Sequence, residues 1–257
     1  MRRHRAPIRD IRAEYDTSAD RLTAYHEHRL NALDGDELDL DTTDDGQRRP
    51  TVVVHFAPVD AFEPDGFQRT LAEMDDAGVD FYETGSRTRS VATPSAGAFT
   101  LSRPPNDRTR DGAEYLKLDE HGLMEIVSQR LTHDSSRGTQ FSADTFASLV
   151  EGNLAVLVGL LAADSPTTGV VATATFLEFD DVGKTSEYGS LTFEDAARVD
   201  TPTVRFDPPG EDHDGEYTAH IDVVDALVRP LWQSSGRFDH PEIDHVESLT
   251  IPEYSLV

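Results

Sequence analysis

Apolar residues recur at helical spacing through the middle of the chain. Phe146, Leu149, Val150, Leu154, Leu157, Val158 and Leu161 fall on one broad face at a period near 3.6. Ser142 stands where an N-cap belongs, able to accept an orphan backbone N–H of the first turn. Asp164-Ser165-Pro166 ends the run, because the residue before a proline is pushed out of the helical region. The stretch that follows, 169–177, is rich in β-branched and aromatic residues and predicts a strand. At about 1.5–3 kcal/mol per fully buried large apolar side chain, the helix face alone contributes on the order of 10 kcal/mol before entropy is subtracted. The chain therefore has a folded core.

Other patterns place further elements around it. Ile8, Ile11 and Tyr15 would share one side of a short helix. A second helix, capped by Thr17 or Ser18 and ended by Gly35, would align Leu22, Tyr25, Leu30 and Leu33. In that helix His26 and His28 point apart and do not form a chelating pair. Pro50 opens the near-continuous apolar run Thr51–Ala57, which predicts a central strand covered on both faces, with His55 as a hydrogen-bonded core residue. Phe67–Ala77 reads as a short helix. Residues 84–112 read as loop, broken by Pro94, Gly97, Pro104, Pro105 and Gly112, with a short strand at Ala98–Leu101. Glu114–Leu118 and Leu123–Val127 form a hairpin in which Gly122 supplies the positive φ. A Gly/Asp-rich crossing precedes a weaker strand at Thr203–Phe206. The last helix starts near Ala219, carries Ile221, Val224, Leu227, Val228, Leu231 and Trp232, and is bent by Pro230.

The expected fold is α+β: a mixed, largely antiparallel sheet with packed helices, preceded by a short helical N-terminal arm. Residues 1–46 form the basic, helical arm and an acidic linker, 47–240 the α+β domain, and 241–257 a polar C-terminal tail.

Composition changes this picture in two ways. Without cysteine there are no disulfides, zinc-thiolate sites or cysteine nucleophiles. The net charge of −26, from 49 Asp+Glu against 23 Lys+Arg, matches a halophile surface, whose self-repulsion is screened over about 3 Å at molar salt. No signal-peptide core is present, and the apolar window 154–163 is too short for a membrane span. A cytoplasmic protein is expected, with no membrane partner and no cofactor.

Candidate chemistry is sparse. Gly183-Lys184-Thr185 lacks the earlier glycine of a phosphate loop, since Glu178 stands there, and reads as a turn. The acidic stretch 34–45 fails the calcium-loop pattern, because Val52 falls where the bidentate Glu is needed. G-x-S-x-G and H-E-x-x-H are absent. The densest ligand-type cluster is His240, Glu242, Asp244 and His245, two imidazoles and two carboxylates that could hold a divalent metal for a hydrolase. Arginines Arg2, Arg3 and Arg5 of the arm, with Arg87, Arg89 and Arg103 of the 84–112 region, are the groups through which phosphate would be met.

The order of elements resembles the C-terminal region of Schlafen-type AlbA-domain proteins, a DNA-binding or regulatory family. His28-Arg29-Leu30 is similar to the end of that family's linking helix. Residues 52–62, Val-Val-Val-His-Phe-Ala-Pro-Val-Asp-Ala-Phe, are similar to its L-V-L-H-x-x-P-x-x-x-F strand. Tyr115 through Glu125 looks like its glycine-turned hairpin, and Leu227-Val228-Arg229-Pro230-Leu231-Trp232 like its closing helix. The AlbA-like domain itself has no counterpart in this sequence. The resemblance therefore implies a non-catalytic accessory or interaction domain, partnered by an AlbA-like domain on a separate chain or upstream segment, with nucleic acid met only indirectly. The alternative is a metal-dependent hydrolase around His240–His245.

Overall fold

β1 (Thr51–Pro58) is buried along its whole length, as a valine-rich run flanked by proline requires when both faces are covered. A computed structural model describes residues 8–34, 48–63, 66–76, 78–82, 89–91, 93–95, 97–103, 112–136, 138–164, 169–186, 189–193, 196–206 and 220–234. Before β1, among the described residues, comes one helix, α1 (Ile8–Asp34), whose side chains are described from residue 19 to 33. The two short helices expected here are thus one, because neither glycine nor proline interrupts 8–34 and an internal Thr17-Ser18 costs little helix propensity.

After β1 come α2 (Leu71–Asp76), β2 (Asp80–Tyr82), β3 (Arg89–Val91), β4 (Thr93–Ser95), β5 (Ala98–Arg103), β6 (Glu114–Asp119), β7 (Met124–Ser128), β8 (Thr132–Ser135) and β9 (Gly138–Phe141). Then follow α3 (Ala143–Asp164), β10 (Val170–Leu177), β11 (Gly183–Ser186), β12 (Gly189–Thr192), β13 (Arg198–Asp200), β14 (Val204–Phe206) and α4 (His220–Ser234). The main sheet runs β13-β10-β1-β7-β6-β5-β4, with β14 beside β13 on β10, and all its ladders are antiparallel. A second sheet, β12-β11-β9-β8, contains the parallel pairing of β9 with β11, and β2 pairs β3. The α+β expectation holds.

Several expectations shift. The helix expected over Phe67–Ala77 starts only at Leu71, where Thr70 and Glu73 close a capping box: Thr70 N–H donates to Glu73 Oε2 at 2.8 Å, and Glu73 N–H to Thr70 Oγ1 at 3.3 Å. The 84–112 region contains β3, β4 and the whole of β5, not only a strand at Ala98–Leu101. Gly183-Lys184-Thr185 is strand, not turn: β11 pairs β12 on one side, while Gly183 meets Gln140 of β9 on the other. The hairpin turn is as expected, with Gly122 at φ 76° and Asp119 Oδ1 accepting from the N–H groups of His121 and Leu123.

One face of the main sheet carries the core. Val52, Val54 and Phe56 of β1 point at α3, which is buried on every side from Leu149 to Leu161. The window Ala143–Leu161 is long and apolar enough to cross a membrane, yet 83% of it is buried inside the fold. Such all-round apolarity belongs to a central helix. Buried Asn153 ties α3 to β2, its Nδ2–H donating to Tyr82 O at 2.8 Å and its Oδ1 accepting from Tyr82 N–H at 3.1 Å. Gly152 lets the Tyr82 ring lie where a Cβ would be. Beyond α3, rings of Phe141, Phe176, Phe179, Phe193 and Trp232 meet mostly edge-on at centroid distances from 5.3 to 6.4 Å, tying β9, β10 and α4 together. The opposite face is covered by α1, which lies across β1 and β10.

Candidate functional site

The seat of α1 on the sheet is apolar at both ends and polar between. Leu22 packs with Ala57, Ala61 and Val171, while Leu30 and Leu33 pack with Val53 and Val127. Helical spacing puts His26 and Arg29 on the same face, between the two apolar patches. Beneath them the pleat aligns polar residues from five strands. Glu125 of β7 is the direct cross-strand partner of His55 in β1, and also of Lys117 in β6. One step along, Thr175 of β10 partners Asp200 of β13.

These groups make one continuous network. Arg29 forks onto Glu125, Nε donating to Oε2 at 2.7 Å and Nη2 to Oε1 at 2.8 Å. Glu125 Oε2 also lies 2.8 Å from His55 Nε2. The two imidazoles face each other, His55 Nδ1 to His26 Nδ1 at 2.6 Å, with rings at 89°. His26 Nε2 lies 2.7 Å from Thr175 Oγ1, which donates to Asp200 Oδ1 at 2.7 Å. Arg198 closes the circuit at the surface, its Nε between both Asp200 oxygens at 3.0 and 2.9 Å and its Nη2 donating to Glu27 Oε1 of α1 at 2.6 Å. The Tyr25 ring stands edge-on to His55 at 5.2 Å.

Burial sets the electrostatics. His55 is 0% exposed and Glu125 1%, so a bare carboxylate there would be costly. Burial alone would raise the Glu125 pKa, but the hydrogen bonds from His55 and Arg29 overcome it and hold it at about 2. Arg29 is pushed up by its bond to Glu125. Burial pushes His55 down against the Glu125 bond, and pushes His26, with the charge of His55 beside it, to about 3. Tyr25 and Tyr115 are pushed up, by burial first and by Glu125 second. The cluster is an internal clamp: its atoms are spent on one another, and the His55 and Glu125 side chains offer no surface to a substrate.

Of the residues singled out in the sequence, His55 is the buried, hydrogen-bonded core histidine expected, and His28 points to solvent, away from His26. Arg103 ends β5, half-buried and in register with Glu114, and Arg89 lies in the backbone of β3. Arg2, Arg3, Arg5 and Arg87 lie outside the described residues, as do His240, Glu242, Asp244, His245 and the acidic linker. Among the described residues, no group of three or more His, Asp and Glu is placed to hold a metal ion. Sequence reasoning missed the partners His26, Arg29, Glu125, Thr175 and Asp200. The available signal was polarity at strand positions whose neighbours are all apolar, His55 and Glu125 above all.

Two further features lie apart from the clamp. Glu151 of α3 is 1% exposed, its Oε2 has no hydrogen-bond partner among the described residues, and burial pushes its pKa up to about 7. A shallow depression of about 390 Å³ opens beside the hairpin turn, lined by Phe62, Glu63, Phe67, Gln68, His121 and Leu123. No protein-family model, curated protein or solved structure matches this chain.

Proposed function

We propose that the chain is a non-catalytic accessory or interaction domain of a Schlafen/AlbA-type nucleic-acid-associated system, working in the salt-rich cytoplasm of a halophile. One observation carries this reading. Arg29, His55 and Glu125 come from three separate stretches on which the resemblance rests, 70 and 96 positions apart along the chain, and they meet in one hydrogen-bonded cluster. Residues that recur in such a pattern for catalysis should face a cleft. These face one another, and their joint effect is to fasten α1 to the sheet. A helix fastened in this way can transmit the position of whatever it is joined to or touches, the task of a domain that presents an AlbA-like partner.

The test mixes the purified chain with an AlbA-like domain encoded beside it, in 2 M KCl, and follows complex formation by sedimentation and duplex binding by fluorescence anisotropy. A stoichiometric complex is expected, with DNA bound by the complex and not by this chain alone. No complex, together with sequence-independent duplex binding by the chain alone that is lost in Arg87→Ala/Arg89→Ala, overturns the reading. Only a handful of arginines could neutralise phosphates, so at this salt the chain alone should bind almost nothing.

A further inference from the structure

The buried relay imposes a hydrogen count. Four contacts run in series: Glu125 Oε2 to His55 Nε2 at 2.8 Å, His55 Nδ1 to His26 Nδ1 at 2.6 Å, His26 Nε2 to Thr175 Oγ1 at 2.7 Å, and Thr175 Oγ1 to Asp200 Oδ1 at 2.7 Å. Each needs one hydrogen, since two lone pairs cannot face each other at such distances. Both ends are carboxylates forked by arginine, Glu125 by Arg29 and Asp200 by Arg198, and a carboxylate only accepts. Thr175 owns one hydrogen. The two imidazoles must therefore supply three, one more than a neutral pair carries.

We infer that His26 and His55 form a one-proton switch: the relay is closed when the pair shares a single extra proton between its Nδ1 atoms, and opens at Thr175–Asp200 when that proton leaves. The open link is there because every other contact is sealed, whereas the Asp200 side chain is 51% exposed and water can replace Thr175 as its donor. The switch reaches the surface through Arg198, which joins Asp200 of β13 to Glu27 of α1.

The charges around the pair suit one added proton. α1 brings Tyr25, Glu27 and Arg29, β6 brings Tyr115, Lys117 and Asp119, β7 brings Glu125, and β13 brings Arg198 and Asp200. With both tyrosines neutral, the carboxylates Glu27, Asp119, Glu125 and Asp200 exceed the cations Arg29, Lys117 and Arg198 by one. Burial opposes the charge, and His55 opposes it at His26, so a second proton is refused until strong acid. The pair titrates as a unit, and its steps belong to neither residue alone.

The experiment records histidine side-chain ¹⁵N–¹H spectra of the full chain in 2 M KCl from pH 5 to 8. On the acid side of one shared step, both Nε2 atoms should be protonated and both Nδ1 signals should be averaged by one proton. Above the step one ring proton is lost, and the Thr175 and Asp200 signals should move at the same pH. Asp200→Asn supplies the missing hydrogen: its amide donates to Thr175, the hydroxyl turns to His26 Nε2, and the relay closes with two ring protons. The pair's proton affinity should then drop tenfold or more, with His26 Nε2 bare. Two independent titrations in the wild type, or a wild type never holding three ring protons, overturns the inference, and the wild-type spectrum decides even if the variant does not fold.

Discussion

Glu151 shows what one carboxyl group does when the fold closes over it with no partner for its Oε2 among the described residues. Burial raises its pKa from the ordinary 4.5 to about 7, so the folded state holds a proton that the unfolded chain releases. The sign follows: its contribution is fully present below pH 4.5 and is lost as pH rises through about 7. Glu151→Gln should leave stability near pH 5 almost unchanged and raise it by about 1–3 kcal/mol at pH 8, as judged by urea unfolding at both values. An equal effect at both would show that the carboxyl is already ionised. Glu125 behaves in the opposite sense: held at about 2, it adds stability above pH 4.5 that is lost as pH falls toward 2. Glu151 was not legible among so many acids, and Glu125 only as a charge set in an apolar strand. His55 was, because a lone imidazole in an apolar strand must find a hydrogen bond. Its partners were not, because they lie 29 and 70 positions away and only the sheet register brings them opposite it.

Elements were legible in proportion to how much apolar surface each buries. β1, α3, β10, the β6–β7 hairpin and α4 announce themselves by period. β8 and β9 were not foreseen and β11 and β12 were read as turn and crossing, because strands this short and polar carry no alternation. β8 is half-buried to exposed along its length. The continuity of α1 was obscured by Thr17 and Ser18, cap residues that this helix absorbs. Two element-scale outcomes are expected. Trp232 is buried in α4 against Phe141 and Phe193, so Trp232→Ala should cost roughly 3–5 kcal/mol by denaturant unfolding, and a loss below about 1 kcal/mol would place that face outside the core. Gly122 has φ 76°, and a Cβ there would meet Pro58 Cγ at 2.8 Å and Phe67 Cδ1 at 2.9 Å. Gly122→Ala should therefore cost at least about 1 kcal/mol, checked by the same unfolding curve.

For the molecule as a whole, the net charge of −26 sets how stability depends on salt. Self-repulsion grows as salt is removed and the screening distance lengthens from about 3 Å toward 10 Å. Thermal melts in 3 M and 0.1 M KCl should show a clearly lower midpoint at low salt, whereas an unchanged midpoint would defeat the halophile reading. The Arg29–Glu125 fork is buried, so it should be screened far less than surface pairs such as Arg198–Glu27. Removing one partner of a buried pair costs about 3–5 kcal/mol, because the other charge is left alone. The central claim is that Arg29, His55, Glu125 and His26 together seat α1 on the sheet. Amide hydrogen exchange of wild type and Glu125→Gln, in molar salt, tests it most directly. Protection should fall at least tenfold across residues 22–33 of α1 while α3 and β10 keep theirs. Protection of α1 that is unchanged, or lost equally everywhere, would contradict the clamp.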